Sequence, residues 1–219
     1  MKSVSILFLF ISFHCFTQNK LDIEKAKALI GYNIYDYNHA DSMPTDSLTD
    51  VKNGYFEVSY DYAKLCQIGL FKNKDGSGLV ISTGYYSDEQ CSMYFSYFHL
   101  IPSSIDTSVV LEPSRVLPAL TFRDFFVGDS VDLIIKKYLP EINKNYLENG
   151  TIDQVISEVY DIHYIVPRKG TKLKVELTIC DYIPTNAVSI DPKDWHIIET
   201  SIKPIYLKYN KSKKAFEIE

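Results

Sequence analysis

The 219-residue chain lacks the short motifs that identify common classes of enzyme and metalloprotein. It contains no G-x-S-x-G nucleophile turn, no H-E-x-x-H metallopeptidase helix and no glycine-rich phosphate loop. No C-x-x-C pair and no H-x-x-x-H spacing indicates a metal site. The motifs therefore assign no reaction, metal or cofactor, and an active site would have to be assembled by the fold from distant residues.

Long hydrophobic runs are also absent, and the one near the N terminus is too short to cross a bilayer, which needs about 20 apolar residues. This run, Ile6–Ile11, follows a single lysine, and the small residues Cys15 and Thr17 precede a suitable cleavage point. Residues 1–17 are therefore predicted to be a secretory signal peptide. The mature chain, residues 18–219, is expected to be secreted or periplasmic, without a transmembrane segment.

A lipoprotein is the alternative outcome of the same N-terminal sequence. Cys15 would then carry the lipid and become the first residue of a membrane-anchored protein. Phe13 and His14 are bulky where lipoprotein signals have small residues, which favours ordinary cleavage after Thr17.

A strong charge of one sign is missing as well. The formal net charge is −5, and both signs are interspersed along the chain. Binding of nucleic acid would need a basic stripe, so no nucleic-acid partner is expected.

Cysteine is scarce, with four in the chain. Loss of Cys15 with the signal peptide would leave three, an odd number that implies one disulfide plus a free thiol or no bridge. Cys66 and Cys91 are the candidate pair because export favours disulfides. In a regular meander, they would be separated by two strand spacings, which together amount to roughly 9–10 Å. A disulfide needs Cα atoms within about 7 Å, so this bridge requires curled strand ends or another strand order.

Helical periodicity occurs at a few places. Residues 22–31 predict a short capped helix, and the apolar stripe of Val131–Tyr146 predicts a longer one. Pro140 is expected to kink the second helix or divide it in two. Capping patterns predict one further turn each at Thr121–Gly128 and after Thr151.

Alternating and aromatic-rich runs predict antiparallel strands, with the clearest hairpin turn at Asn73–Gly78. Residues 41–47 and 186–194 are polar and are expected to be loops. The predicted strands are Tyr55–Tyr60, Leu65–Lys72, Leu79–Tyr86, Cys91–Ile101, Val159–Val166, Lys172–Cys180, Trp195–Ile202, Ile205–Tyr209 and Lys214–Ile218.

These elements predict an α+β fold, in which two or three helices pack on antiparallel hairpins and meanders. Both halves contain a helix followed by strands, so a loosely duplicated unit is an alternative description. The mature chain is expected to be one domain, with the irregular residues 103–128 as the only candidate sub-boundary.

Tyrosine is the residue in excess, with 17 against 12 phenylalanines and one tryptophan. Tyr85, Tyr86, Tyr94 and Tyr97 lie on neighbouring predicted strands, and we expect them to form one cross-strand patch. A tyrosine ring offers an apolar face and a polar hydroxyl, which suits a glycan or protein partner. Ordinary packing on the sheet, with the hydroxyls at its rim, is the structural alternative.

Two other patterns have weaker functional interpretations. Asn73–Ser77 has side-chain oxygens at alternate positions, as a calcium loop does, but the twelfth position is Gly84 instead of a carboxylate, which favours a plain hairpin turn. Asp161 and His163 lie two residues apart on a predicted strand, so the carboxylate could orient the imidazole. An ordinary strand histidine is the alternative.

The sequence thus favours an exported, non-catalytic binding protein that uses a tyrosine-rich sheet face. An extracytoplasmic hydrolase is the first alternative, with carboxylates or histidines that converge only in the fold. A structural or assembly factor of the envelope, without a small ligand, is the second.

Overall fold

The chain folds into two antiparallel sheets with helices, which confirms the predicted α+β class. A computed structural model describes residues 20–31, 44–60, 64–87, 92–145, 150–179 and 190–219. Within them the α-helices are α1 (Ile23–Leu29), α2 (Ser130–Asn145), α3 (Ile152–Val159) and α4 (Pro192–Ser201). The strands are β1 (Pro44–Asp50), β2 (Tyr55–Tyr60), β3 (Lys64–Lys72), β4 (Gly78–Ser87), β5 (Ser92–Ile101), β6 (Val109–Leu111), β7 (Tyr160–Ile165), β8 (Lys172–Ile179), β9 (Ile205–Asn210) and β10 (Ala215–Ile218).

The first sheet is a six-stranded meander in the order β1-β2-β3-β4-β5-β6. Its central hairpin turns at Gly76, whose φ of +86° is a conformation that glycine adopts without strain. The register pairs Leu65 of β3 with Tyr85 of β4, and Tyr85 with Tyr94 of β5. The hairpin and the third strand that the sequence predicts are therefore present, in the expected order.

The second sheet has four strands in the order β10-β9-β8-β7. On β8, buried Leu173 and Val175 alternate with the more exposed Lys172 and Lys174, so this strand has one apolar and one polar face. The two sheets share the order of helix before strands. They differ in strand number, and α4 is inserted between β8 and β9 of the second sheet.

Each face of the first sheet contacts a different hydrophobic cluster. We call the first the α1 face, because Phe56 and Ile68 pack there with Ile23 of α1. The second is the β7 face, where Ile81 and Phe98 belong to a larger cluster that includes residues of the second sheet and of α2, α3 and α4. This larger cluster joins residues on both sides of the predicted sub-boundary at 103–128.

β1 corrects the prediction of a loop at residues 41–47. Pro44 begins a strand that pairs with β2 on one side only, at the edge of the sheet. A proline is tolerated at the first residue of an edge strand, and polar side chains are tolerated because that strand is largely exposed. Residues 41–43 lie outside the described part of the chain.

α4 corrects the strand predicted at Trp195–Ile202 and the loop before it. The side chain of Asp191 caps the helix by accepting from the Lys193 amide at 2.8 Å, and Pro192 occupies the first turn. The strand prediction relied on the aromatic and β-branched residues of this segment. The Asp-Pro start signal and packing of α4 against α2 outweigh that propensity.

The other helices follow their predicted starts more closely. α2 continues through Pro140, so the alternative of two abutting helices is wrong. α3 begins with the capping box expected at Thr151, in which Gln154 Oε1 accepts from the Thr151 amide at 2.7 Å, and it is longer than the single predicted turn. The turn predicted at Thr121–Gly128 is a 3₁₀ helix, Phe122–Phe125.

Several predictions fall outside the described residues. These include the signal peptide, the alternative lipid site Cys15, and both Cys91 and Cys180. No helix in the described ranges combines the length and the apolar character that a bilayer crossing requires.

Candidate functional site

The second sheet meets the first along β7, which runs across the strands of the first sheet. Contacts from β7 and the turn after it progress from β5 to β1. They pair His163 with Tyr94, Tyr164 with Phe98, Val166 with Gly69, and Arg168 with Asp50. This crossing covers the apolar row of the β7 face that contains Gly69, Ile81 and Phe98.

Beside the crossing, two further rows of the β7 face carry polar and aromatic side chains. Residues that are directly opposite on neighbouring strands share a face, so the register places Glu57, Gln67, Thr83 and Ser96 in one row. Leu65, Tyr85 and Tyr94 form the next row. Thr83 is fully buried, whereas the other members of the two rows are partly exposed. Five of these form a surface that we call the tyrosine strip, namely Glu57, Leu65, Gln67, Tyr85 and Tyr94.

Three rings meet at one end of the tyrosine strip. The Tyr85 and Tyr94 centroids lie 6.0 Å apart with an interplanar angle of 42°. The Tyr94 centroid lies 4.7 Å from that of the His163 ring, which β7 supplies. These distances are in the range in which aromatic rings attract each other, so the strands and β7 hold the three rings as one group.

His163 is enclosed at this end, with only 8% of its surface exposed. Burial lowers the pKa of its imidazole; Glu176 opposes this shift and Lys174 adds to it. Glu176 lies directly opposite His163 on β8. It forms an ion pair with Lys174, with 2.5 Å between Oε2 and Nζ. The acidic residue that acts on the imidazole is thus Glu176 on the neighbouring strand, and the described part of the structure shows no hydrogen bond or ion pair from Asp161 that would orient the ring.

The other end of the tyrosine strip is built around Glu57. Its Oε2 atom accepts from the Tyr55 hydroxyl at 2.5 Å and from Gln67 Nε2 at 2.8 Å. Burial and the neighbouring carboxylate raise the pKa of Tyr55, so this phenol stays protonated and donating. The Glu57 side chain is therefore held in a fixed orientation. Arg168 and Asp50 form an ion pair beyond it, at 3.4 Å.

The four predicted tyrosines do not form one patch. Tyr85 and Tyr94 lie on the β7 face, whereas Tyr97 lies on the α1 face, where it is 52% exposed and 5.9 Å from the Phe95 ring. The backbone of Tyr86 pairs with Met93, and its side chain lies outside the described part of the structure. Strand alternation alone separates neighbours such as 85 and 86, so this division was available from the sequence.

Sequence reasoning missed the polar half of the site. Glu57 and Gln67 carry no motif, and they become neighbours of the tyrosines only through the register of three hairpins. Glu57 was visible only as a polar residue in an alternating strand, facing the same way as Tyr55.

The other candidate residues have structural partners elsewhere. In the hairpin turn, Asp75 accepts from the Ser77 hydroxyl at 2.6 Å and from Lys214 at 2.5 Å, and Asn73 bonds Ser77 and Tyr209. The side chains that resemble a calcium loop are thus hydrogen-bonded to one another and to Lys214. The described residues include no group of three or more His, Cys, Asp or Glu side chains suited to a metal ion.

Cys66 is buried on the α1 face, with its Sγ atom 3.9 Å from the Ser82 hydroxyl. Gly84 lies opposite Cys66 on β4, and Phe95 lies opposite Gly84 on β5. Since Cys91 is outside the described residues, the Cys66–Cys91 disulfide stays a prediction.

Comparisons with known proteins do not assign the chain to a family. No family model and no curated protein matches the chain. Among solved structures, the chain is similar to a domain of an uncharacterized protein from Porphyromonas gingivalis W83, with 9% sequence identity and a TM-score of 0.49. The match covers 81% of this chain and 80% of that one.

Proposed function

We propose that the protein is an exported, non-catalytic binding protein whose ligand lies on the tyrosine strip. The observation that carries the proposal is the group of three rings, Tyr85, Tyr94 and His163, continuous with a fixed carboxylate at Glu57. Partly exposed aromatic faces beside oriented hydrogen-bonding groups are the usual composition of a recognition surface. The N-terminal sequence supports export, because it follows the pattern of a cleaved signal.

The state of the carboxylates at the strip favours binding over hydrolysis. Glu57 accepts two hydrogen bonds on one oxygen, and Glu176 is ion-paired with Lys174. A general acid or base must reach the substrate and exchange a proton with it, and both carboxylates are already engaged by protein partners. Such groups suit a role as oriented hydrogen-bond acceptors.

The test is a thermal-shift screen of residues 18–219 against envelope glycans, peptidoglycan fragments and peptides. A ligand at 100 times its Kd should add roughly 2.7 kcal/mol to the free energy of unfolding. That corresponds to an increase in Tm of a few degrees for a domain of this size. Tyr85→Ala should remove the shift.

Tyr97→Ala is the matched control, because it deletes the same ring from the opposite face of the sheet. This variant should keep the wild-type shift. If no ligand class gives a shift, or if both variants lose it equally, the strip is not the binding surface. A role as an envelope structural or assembly factor would then be the better description.

A further inference from the structure

We propose that the ligand of the tyrosine strip is a neutral carbohydrate chain of about three sugar units, lying across the strands of the first sheet. This inference rests on the proposed function, and it names the ligand class of that same site. One sugar would lie on the Tyr85 and Tyr94 rings, and the hydroxyls of the last would reach Glu57.

The spacing of the strip matches a sugar polymer. The strip passes from Tyr94 on β5 to Tyr85 on β4, then to Gln67 on β3 and Glu57 on β2. Neighbouring strands lie about 4.8 Å apart, so the strip spans roughly 14 Å and offers one side chain at each spacing. One pyranose unit in an extended, equatorially linked chain has nearly the length of one such strand spacing.

An extended peptide fits the same surface less well. Side chains that point to one side of a peptide strand repeat every two residues, about 6.7 Å, and fall out of step with the 4.8 Å strand spacing. Where the ligand crosses β3 and β4, both strands are hydrogen-bonded on both sides, so a peptide there would have to satisfy its backbone groups on side chains.

Hydrogen-bonding chemistry points to the same class of ligand. Both protein donors of Glu57, Tyr55 and Gln67, bind its Oε2 atom. Among the described residues, no group donates a hydrogen bond to Glu57 Oε1. This oxygen is also not one of the buried atoms that lack a hydrogen-bond partner, so it is accessible to a ligand. A carboxylate fixed on one side and open on the other is suited to accept hydroxyl groups, while the tyrosine faces suit the apolar C–H face of a sugar.

Charge excludes acidic polymers from this proposal. Glu57 is an acidic group at the strip, and two cations of β8 and of the turn after β7 are already paired, Lys174 with Glu176 and Arg168 with Asp50. An acidic polysaccharide would be repelled by Glu57, and neither Lys174 nor Arg168 is unpaired to offset that repulsion. A neutral chain meets no such penalty.

The test is isothermal titration of residues 18–219 with neutral, equatorially linked oligosaccharides of one to five units. Affinity should rise with each added unit up to about three units and then level off, because the strip ends beyond Glu57. Acidic oligosaccharides of the same length should bind at least roughly tenfold more weakly. Glu57→Gln should weaken neutral-sugar binding by about tenfold, since it removes a charged acceptor.

Glu112→Gln, at an exposed position outside the strip, is the charge-matched control and should bind as the wild type does. Gln67→Leu provides a second strip variant if Glu57→Gln unfolds, which circular dichroism would reveal. Binding of peptides but not sugars, with loss in Tyr85→Ala, would overturn the carbohydrate assignment and leave the proposed function standing. Sugar binding that is unaffected by Tyr85→Ala and by Glu57→Gln would overturn both.

Discussion

At the scale of single residues, His163 reports directly on the integrity of the proposed site. Its pKa is lowered by burial beneath the Tyr94 ring, at the junction of the two sheets. Tyr94→Ala should open this junction to water, and the pKa of His163 should then rise towards the ordinary value of about 6.5. Titration of the imidazole by NMR would measure the change.

His99 is an internal control for this titration. It lies on the α1 face, and its pKa is also lowered by burial, so Tyr94→Ala should leave it unchanged. An unchanged His163 pKa in the variant would show that the ring does not shield the imidazole.

The direction of the two histidine shifts has a consequence for acid stability. A histidine with a lowered pKa in the folded state binds fewer protons there than in the unfolded chain. Its contribution to stability is therefore present above the unfolded pKa of about 6.5 and is lost as the pH falls through the folded pKa.

At the scale of elements, Gly69 controls how closely β7 approaches the first sheet. A Cβ atom at this position would lie 2.3 Å from Cγ1 of Val166 and 3.2 Å from the Phe71 ring. Gly69→Ala should therefore push the segment after β7 away from the sheet and lower the free energy of unfolding by about 1–3 kcal/mol, as overpacking does. Urea unfolding would measure the loss.

The double variant Gly69→Ala/Val166→Ala tests whether this contact is the cause. Shortening Val166 removes the clashing methyl groups, so the double variant should be more stable than the sum of the two single changes predicts. Strict additivity would indicate that Gly69→Ala acts elsewhere, for instance on the flexibility of β3.

Strands β2 to β5 of the first sheet could be predicted because their signals are local. Asn73–Gly78 lies between two alternating runs, and a hairpin needs no distant information to fix its register. α4 was not predictable on the same basis. Its Trp195 and Ile197 favour a strand, and the helix is decided by the Asp191 cap and by Lys137 and Tyr138 of α2, which bond Asp194.

The site was half predictable for a related physical reason. Tyr85 and Tyr94 belong to adjacent strands joined by a short turn, so their proximity follows from local pairing. His163 reaches them from a strand about 70 positions later, through a packing of two sheets that strand periodicity does not encode. Glu57 could be placed only once the register of β2, β3 and β4 was known.

At the scale of the whole molecule, the first sheet depends on both of its covers. The β7 face is packed by the second sheet and by α2, α3 and α4, whereas the α1 face is covered by α1 with the residues just before it. Leu21 and Ile23 are at most 3% exposed there. The segment that follows the predicted signal peptide is therefore part of the hydrophobic core.

The predicted signal peptide and this N-terminal packing together give a prediction that tests export. The intact mass of the protein recovered outside the cytoplasm should correspond to residues 18–219, which retain α1. Lipid attachment at Cys15 would instead give a heavier, membrane-associated species that begins three residues earlier. Recovery of the full chain from Met1 in the cytoplasm would contradict the proposal of export.

Cleavage of the predicted signal peptide must leave α1 in place if the protein is to stay folded. A chain that begins at residue 32 loses Leu21 and Ile23, and burial of each such side chain is worth about 1.5–3 kcal/mol. We therefore expect it to unfold at clearly lower urea than residues 18–219, by roughly 3–6 kcal/mol in the free energy of unfolding. Equal midpoints for the two chains would show that α1 does not stabilise the sheet, and that the boundary of the folded unit lies after it.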